Sequence, residues 1–316
     1  MSLQINDCDK IFGMETRIVF MGSPDFSIPI LEELHSKYPI VGVVTQPDRP
    51  AGRGRNLKPP AVKVLAESLG IPTIQPDALK EENAMAQLHA WAPDLIVVAA
   101  FGQILRKNVL ELPKYGCINV HASLLPRWRG ASPIQAAILE GDARTGVTIM
   151  RMEAGLDSGP ILAQREVPLR NNTTGGELSD QLSFLGAHVL VEVLPSYLSG
   201  MVAPMPQDEA LATYANKLKK SNGLINIHQP ALRLARQILA YNPWPGAFYR
   251  IGEKILKIHR AHVHNSYDCE IGAHYIVNNL PALGTAESLL VLDVVQPEGK
   301  KSMTGDAFLM GLSNWL

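Results

Sequence analysis

The feature that most constrains this chain is a series of short, unbroken apolar runs in its first half, separated by longer amphipathic stretches. Such runs lie at 17–22, 40–45 and 94–100, and helical patterns lie between them at 26–37, 62–69 and 81–91. Strands without polar alternation are buried on both faces, and strands that alternate with helices form βαβ units. The pattern therefore predicts an α/β fold in which helices cover a parallel sheet.

Further strands are predicted near Thr73 and at 116–120 and 147–152, and further helices at 133–140 and 177–197. The loop after the first strand reads Gly22-Ser23-Pro24-Asp25, without the GxGxxG pattern that lets a backbone approach a pyrophosphate. Nicotinamide and flavin chemistry is therefore disfavoured. The chain also lacks the GxxxxGK[ST] pattern, so phosphoryl transfer has no support.

A chain of 316 residues is long enough for two domains. Gly200, Pro204 and Pro206 mark a linker between two patterned segments. After it come a helical pattern at 229–239 and apolar runs at 247–251, 254–263, 274–279 and 288–296, which favour a small antiparallel barrel or sheet. We predict a disordered leader at 1–14, a first domain at 15–198, a linker at 199–213 and a second domain at 214–316.

The sequence lacks a membrane-spanning run and a secretory signal, and this indicates where the protein resides. Its longest apolar run is about half of the ~20 residues that cross a bilayer, and the N-terminus does not read as a secretory signal. We expect a cytoplasmic protein without a membrane partner. Cys8, Cys117 and Cys269 are odd in number and far apart, which fits neither a disulfide framework nor a zinc site. We expect free thiols, with Cys117 packed in a strand.

The net charge of −1 conceals two basic segments. The stretch 49–63 carries five basic residues and no acidic one, and the stretch 214–262 carries nine basic residues against Glu253 alone. Local basic surfaces on a neutral protein favour a polyanionic partner that is contacted at those surfaces. Charge alone leaves a second interpretation open, in which both segments are simply solvated faces.

A cluster of polar residues in the middle of the chain carries the chemistry. Asn119 and His121 are two residues apart on a predicted strand, so their side chains share one face. Asp157 lies in the glycine-flanked turn 155–159. Asparagine, histidine and aspartate suit acyl transfer to an amine, which needs an oxyanion donor and a proton acceptor but no serine or cysteine nucleophile. The spacing alone also fits a hydrogen-bonded polar strand end, and both interpretations stay open.

The sequence INVHASLLPRWRGASPIQAAI from 118 to 138, together with GVTIMRMEAGLDSG from 146 to 159, closely resembles the folate-dependent formyltransferase family. Four other segments are similar to the members that act on methionyl-tRNA: FMGSPDFSIPILEEL, TQPDRPAGRGRNLKPPAVKVLA, AYNPWPGAF and VQPEGKKSM. The resemblance extends from about residue 15 to the end. It implies a Rossmann-like parallel-sheet formyltransferase domain followed by a small OB-like β-barrel domain.

The resemblance also implies an activity and a set of site residues. The reaction is transfer of a formyl group from 10-formyltetrahydrofolate to the amino group of methionyl initiator tRNA, without a metal. The catalytic residues are Asn119, His121 and Asp157. The folate-binding residues fall in two segments that match the family: Phe101, Gly102, Gln103, Ile104 and Leu105, then Ser123, Leu124, Leu125 and Pro126.

For tRNA, the basic loop after Thr45 resembles the insertion that enters the acceptor-stem end in the tRNA-specific members, with Arg53 at the family's critical arginine. Gly52 and Gly54 predict that this loop is mobile until RNA is bound. The segment 217–226 departs from the family, which has acidic residues and an Asp-Trp pair there. We expect a monomer with these tRNA-binding residues: Arg49, Arg53, Arg55, Lys58, Lys217, Lys219 and Lys220.

Two alternatives accompany this interpretation. A sugar-amine formyltransferase shares the asparagine, histidine and aspartate, but has no use for a mobile basic loop and a basic second domain. A noncatalytic RNA-binding protein of the same fold has no reason to place polar Asn119 and His121 in an apolar strand, where desolvation is costly. A metal site at His259, His262 and His264 is disfavoured, because no cysteine or carboxylate accompanies them at ligand spacing.

Overall fold

The computed structural model describes residues 16–51, 56–266, 268–312 and 315. The predicted leader at 1–14 lies outside these ranges. The chain divides into two compact units. The first comprises residues up to 130, 146–167 and 179–214, and the second comprises 131–145, 168–178 and 215 onward. The segments 131–145 and 168–178 thus group with the second unit, and the simple domain boundaries given above stay a prediction.

The first unit is built on a seven-stranded sheet. Its strands are β1 Ile18–Gly22, β2 Ile40–Val44, β5 Thr73–Ile74, β6 Leu95–Ala99, β7 Cys117–His121, β9 Arg144–Arg151 and β10 Ile161–Pro168. They lie in the order β10-β9-β7-β6-β1-β2-β5. The five strands from β7 to β5 are parallel, as the unbroken apolar runs predicted.

The far side of this sheet differs from the prediction. The strand predicted at 147–152 is present as β9, but it runs antiparallel to β7, with His121 opposite Thr148 and Asn119 opposite Met150. The strand β10 was not predicted, because most of its residues are exposed or only partly buried. Apolar runs report burial but not strand direction, so the sequence pattern could not reveal this reversal.

Helices lie where the sequence patterns indicate them, except for a short helix at 107–110 that no pattern predicted. They are α1 Ile28–His35, α2 Ala61–Ser68, α3 Glu82–Trp91, α4 Lys107–Leu110, α5 Pro133–Glu140 and α6 Gly175–Leu198. The apolar face of α3 packs on the sheet, where the indole of Trp91 covers Gly42 so closely that a Cβ there would overlap it. At the start of α6, the Thr174 and Glu177 side chains each accept a hydrogen bond from the other's main-chain N–H, at 3.2 and 2.8 Å, which forms a capping box.

The arms of the basic loop form a hairpin. Strands β3 Arg49–Ala51 and β4 Asn56–Lys58 pair antiparallel, with Arg49 opposite Lys58. The tip of the loop, which carries Arg53 and Arg55, lies outside the described residues. Two further short strands are β8 Arg129–Gly130, in the first unit, and β11 Tyr214–Ala215, where the first unit ends and the second begins.

The second unit contains an antiparallel sheet packed on α7 Ala231–Ala240. The sheet order is β12-β13-β16-β15-β14, with β17 beside β16. The strands are β12 Ala247–Ile251, β13 Lys254–His264, β14 His274–Val277, β15 Leu280–Gly284, β16 Leu289–Pro297 and β17 Met303–Thr304, and α8 Gly305–Met310 follows. The antiparallel domain is confirmed, and its closure into an OB-like barrel stays a prediction.

The core of the second unit joins one face of α7 to the sheet. Leu234 and Ile238 of α7 are buried against Leu290 and Leu292 of β16, at the i and i+4 spacing that places side chains on one helix face. No helix within the described ranges combines the length and apolar character needed to cross a membrane.

Candidate active site

The polar pair at the end of β7 is buried in the first unit. Asn119 is 9% exposed and His121 is 5% exposed. Both side chains lie on the same face of the strand, as their spacing requires. Since β6 and β7 are parallel, the loops that follow them leave the sheet at the same edge. The strand therefore presents an amide and an imidazole side by side where two loops meet.

The ring of His121 is held from one side by the main chain. Its Nε2 atom lies 2.9 Å from the carbonyl oxygen of Trp128. A carbonyl oxygen only accepts, so this hydrogen bond requires a proton on Nε2. The neutral ring then carries its lone pair on Nδ1. Trp128 adopts a left-handed φ of 62°, which is uncommon for a bulky residue.

Asp157 completes the cluster from the turn after β9. Its Oδ1 accepts a hydrogen bond from Nδ2 of Asn119 at 3.3 Å, and its Oδ2 accepts one from the main-chain N–H of Gly130 at 2.8 Å. Oδ2 also lies 3.7 Å from Nδ1 of His121. The structure thus brings together all three residues that the sequence selected, within one unit of the protein.

The segment that follows β7 is mostly internal. Ser123 is buried, and its hydroxyl donates to the carbonyl oxygen of Arg127 at 2.6 Å. Leu125 packs in a small apolar cluster, and Leu124 and Pro126 are partly buried. The side chains of Ser123 and Leu125 therefore shape the wall of this segment from inside. Surfaces available to a ligand are those of Leu124, Pro126 and the main chain.

The segment after β6 lines a groove. Phe101 and Leu105 are buried, whereas Ile104 is 89% exposed. The side-chain amide of Gln103 accepts from the N–H of Leu79 at 2.9 Å and donates to the carbonyl oxygen of Pro76 at 3.1 Å. A cavity of about 420 Å³ is bordered by this segment, including Gly102, Gln103 and Ile104. The loop is thus anchored at both ends and exposes one large apolar side chain between them.

Three further residues contact the Asp157 turn or its neighbours and were not selected from the sequence: Arg129, Gln207 and Glu209. Gln207 donates from Nε2 to the carbonyl oxygens of Asp157 and Gly159, at 2.8 and 2.7 Å. Arg129, only 2% exposed, donates to Oε1 of Gln207 at 3.0 Å and to both carboxylate oxygens of Glu209 at 2.8 and 2.7 Å. The hydrogen bonds from Arg129 lower the pKa of the Glu209 carboxyl, and those to Glu209 raise the pKa of the guanidinium.

Gln207 and Glu209 belong to the segment 199–213 that the sequence assigned to a linker. In the structure Met205 of this segment pairs with Ile161 through two main-chain hydrogen bonds, and residues up to 214 group with the first unit. Glycine and proline content indicates an irregular backbone but not whether it packs. Nothing in the sequence pattern distinguishes Gln207 from a solvated linker residue.

Family profiles match nearly the whole described chain. Residues 16–194 match the profile described as "Formyl transferase", and residues 217–313 match "Formyl transferase, C-terminal domain". The chain belongs to the formyl transferase family. The family resemblance read from residues 118–138 and 146–159 is confirmed.

Curated relatives within the formyl transferase family are similar over most of their length. A protein from Roseiflexus sp. (strain RS-1) named methionyl-tRNA formyltransferase is 46% identical over 95% of this chain and 93% of its own. One of the same name from Marinobacter nauticus is 50% identical over 78% of this chain and 79% of its own.

Solved structures of formyltransferases share the fold at low sequence identity. The N-formyltransferase from Helicobacter canadensis, in complex with folinic acid and dTDP-3-aminofucose, has a TM-score of 0.64 at 16% identity, covering 89% of this chain and 99% of its own. Methionyl-tRNA formyltransferase from Clostridium thermocellum has a TM-score of 0.53 at 18% identity, covering 79% of this chain and 94% of its own. Because sugar and tRNA enzymes both appear, the fold alone does not separate them.

Outside the cluster, this formyl transferase carries its predicted basic residues on the surface. In the first unit Arg49 donates to Oε1 of Gln46 at 3.0 Å, and Lys58 is exposed. In the second unit Lys217, Lys219 and Lys220 are exposed around a short 3₁₀ helix, Lys220–Gly223. Arg53 and Arg55 lie outside the described residues, as does the predicted mobility of their loop.

The remaining candidates are not part of the cluster of Asn119, His121 and Asp157. Cys117 is buried in β7, and burial raises the pKa of its thiol to about 12, so it is a packing residue at neutral pH. In the second unit Nδ1 of His262 pairs with Oδ1 of Asp293 at 2.8 Å. Within the described ranges no group of three or more histidine, cysteine, aspartate or glutamate side chains is placed to hold a metal ion.

Proposed function

We propose that this protein transfers the formyl group of 10-formyltetrahydrofolate to the amino group of methionyl initiator tRNA, giving N-formylmethionyl-tRNA for translation initiation. One observation carries the proposal: the side chains of Asn119, His121 and Asp157 meet in a chain that is 43–50% identical to relatives named methionyl-tRNA formyltransferase. The low-identity structural neighbours add the fold and nothing about the substrate.

The reaction requires two contributions from the protein. The amine nitrogen forms a bond to the formyl carbon, and the carbonyl oxygen takes up negative charge. The bond from that carbon to the folate nitrogen then breaks, while a proton leaves the amine and a proton reaches the folate nitrogen. The site must therefore donate hydrogen bonds to an oxyanion and accept a proton from an ammonium.

Asn119 is suited to donate a hydrogen bond to the oxyanion. Its Nδ2 carries two N–H groups, of which one is directed to Oδ1 of Asp157 at 3.3 Å. The second is free to donate to the developing oxyanion. Because Asn119 is 9% exposed, such a bond forms away from bulk water, where it is stronger.

His121 and Asp157 are suited to accept the proton from the ammonium. The bond from Nε2 to Trp128 fixes the ring, so that Nδ1 is the atom left to exchange protons with the substrate. The carboxylate of Asp157, 3.7 Å from Nδ1, stabilises positive charge on the ring or on the amine. Asp157 is also able to accept the amine proton itself, directly or through a water molecule.

The folate is assigned to the edge where β6 and β7 end. There the groove beside Gly102, Gln103 and Ile104 has a volume of about 420 Å³, which falls in the range of small-molecule sites. The exposed Ile104 offers an apolar surface for a flat ring, and the main chain at 123–126 offers hydrogen-bonding groups. The folate would then bind beside the catalytic side chains, because both are held by segments at the ends of neighbouring strands.

The tRNA is assigned to the basic residues of both units. The exposed Lys217, Lys219 and Lys220 are matched to backbone phosphates, and the hairpin that starts at Arg49 and ends at Lys58 presents the loop that carries Arg53 and Arg55. We place the protein in the cytoplasm, where charged initiator tRNA is available, and propose that it acts as a monomer.

The experiment that tests this function compares amine acceptors. Purified protein is given 10-formyltetrahydrofolate with methionyl initiator tRNA, methionyl elongator tRNA or an amino-sugar nucleotide, and formylated product is measured. We expect formylation of the initiator tRNA at a rate far above the elongator. Formylation of the amino-sugar nucleotide alone would assign the enzyme to the sugar branch of the family. Sedimentation of the free protein tests the monomer.

A further inference from the structure

We infer that Gln207 is a positioning residue that holds the Asp157 turn in its reactive conformation, and that Arg129 and Glu209 fix the side-chain amide of Gln207 in the orientation this requires. The inference rests on the proposed function for its catalytic consequence. The contacts on which it stands lie entirely in the first unit.

Every polar group of the Gln207 side-chain amide makes a hydrogen bond. Its two N–H groups bond to the carbonyl oxygens of Asp157 and Gly159, at 2.8 and 2.7 Å, and its oxygen accepts from Nε of Arg129 at 3.0 Å. The two carbonyls flank the turn on either side of Ser158. One side chain therefore fixes both ends of the turn that presents the Asp157 carboxylate.

Arg129 determines which way the Gln207 amide points. A guanidinium donates only, so its contact with Gln207 must be to the amide oxygen, and both N–H groups then face the turn. The guanidinium is 2% exposed and makes a two-point ion pair with Glu209. Such bidentate pairs are geometrically specific, so Glu209 sets the plane in which Arg129 meets Gln207.

The main chain around Arg129 ties the same network to both reactive side chains. The residue before it, Trp128, accepts from His121, and the residue after it, Gly130, donates to Asp157. The N–H of Arg129 itself donates to the carbonyl oxygen of Thr213 at 2.8 Å. Residues 128–130 therefore fix His121 and Asp157 relative to each other, and the Arg129 side chain anchors that segment to Gln207 and Glu209.

The turn needs such support. Asp157 has a φ of 50°, in the left-handed region where a residue with a Cβ carries backbone strain. A strained conformation persists only where surrounding contacts determine it. Displacement of a reacting group by about 1 Å is enough to slow a reaction about 100-fold. Without Gln207 we expect the turn to relax and the Asp157 carboxylate to leave its place beside His121.

The test uses the full-length protein and the variant Gln207→Leu, which keeps the size of the side chain and removes all three hydrogen bonds. We expect kcat to fall by about 10- to 100-fold, with KM for folate and for tRNA within about threefold of wild type. The matched control is Asp208→Ala in the next residue, whose carboxylate bonds to the N–H of Ala210 and does not contact the turn. Its kcat should stay within about threefold of wild type.

A double-mutant cycle separates positioning from general destabilisation. If Gln207 acts through Asp157, then Gln207→Leu has no further effect on single-turnover formyl transfer in an Asp157→Asn background. An equal loss in both backgrounds overturns the inference. If Gln207→Leu does not fold, Gln207→Glu replaces it, because a carboxylate of the same length still meets Arg129 but cannot donate to the two carbonyls. Wild-type kcat in whichever variant folds also overturns the inference.

A readout without catalysis keeps this test separate from the proposed function. The amide proton of Gly130 is bonded to Oδ2 of Asp157, so its hydrogen exchange reports the position of the turn. We expect exchange at Gly130 to accelerate at least about tenfold in Gln207→Leu and to be unchanged in Asp208→Ala. If the wild type formylates no acceptor, the proposed function fails, and the exchange at Gly130 still decides the role of Gln207.

Discussion

The carbonyl oxygen of Trp128 lies 2.9 Å from Nε2 of His121, and this single contact decides which ring nitrogen is free for chemistry. The oxygen is an acceptor, so the proton of the neutral ring is on Nε2. The carboxylate of Asp157 lies on the other side of the ring, nearest to Nδ1. A main-chain group thus orients the imidazole and leaves Nδ1 on the side of Asp157.

The first prediction concerns this tautomer. In protein labelled with ¹⁵N at histidine, the neutral form of His121 should show a protonated Nε2 and an unprotonated Nδ1. His35, which is exposed at the end of α1, should instead show the mixture of tautomers typical of solvent-exposed histidine. A proton on Nδ1 of neutral His121 would contradict the orientation described here.

A second prediction addresses the basic residues of the second unit. Lys219 is exposed beside the 3₁₀ helix Lys220–Gly223, where it is proposed to meet a phosphate. The variant Lys219→Ala should weaken tRNA binding and reduce the slope of log K against log salt by about 1. Lys37→Ala, at an exposed lysine two residues after α1, should leave that slope unchanged. Equal slopes for both variants would remove Lys219 from the interface.

A third prediction follows from the Arg129–Glu209 pair. The pKa of Glu209 is lowered in the folded protein by its hydrogen bonds from Arg129, so the unfolded chain takes up the proton first as the pH falls. The pair therefore stabilises the fold above the ordinary carboxyl pKa of about 4.3, and this contribution is lost as the pH drops through the lower folded value.

The variant Glu209→Gln should accordingly be less stable than wild type at pH 7, and the difference should shrink below about pH 4. Urea unfolding at a series of pH values measures it. Glu192→Gln removes the partner of Arg165 in an exposed pair, which typically contributes ~0–1 kcal/mol, and serves as the control. A stability difference for Glu209→Gln that is independent of pH would show that the pair does not act through its charge.

Trp315 provides a fourth prediction, on stability. Its indole stacks on His274 with 4.2 Å between ring centres, meets Phe308 edge-on, and donates from Nε1 to the carbonyl oxygen of Tyr275 at 2.8 Å. Trp315→Ala should destabilise the second unit by roughly 3–5 kcal/mol. Hydrogen exchange in strand β15, which pairs with β14 and β16, measures this, with Leu312→Ala at a more exposed site as the control. Unchanged exchange in Trp315→Ala would show that the indole packs without stabilising the sheet.

Much of the fold followed from the sequence because its signals are local. The run at 94–100 became β6 and the pattern at 133–140 became α5 Pro133–Glu140. The reversal of β9 against β7 was not predictable in the same way, since a buried strand has the same apolar pattern in either direction. The strand β10 escaped prediction because its outward residues are exposed and its pattern is weak.

The sequence likewise revealed some residues of the candidate site and not others. Asn119 and His121 stood out because polar side chains in an apolar strand are costly without a purpose. Asp157 stood out in its glycine-flanked turn, and the family resemblance implied a catalytic role for all three. Gln207 and Arg129 did not stand out, because the decisive contacts of Gln207 are to main-chain oxygens. A main-chain acceptor has no sequence signature, so a residue that recognises one is visible only in three dimensions.

The most direct test of the central claim is the single-turnover rate of formyl transfer to methionyl initiator tRNA in wild type and in Asp157→Asn. The substitution keeps the shape of the side chain and removes the charge beside His121. We expect the rate of Asp157→Asn to be at least about 100-fold lower, with unchanged binding of the folate, and a wild-type rate for Asp180→Asn at an exposed position of α6. A rate for Asp157→Asn within threefold of wild type would contradict the claim that Asn119, His121 and Asp157 perform the reaction together.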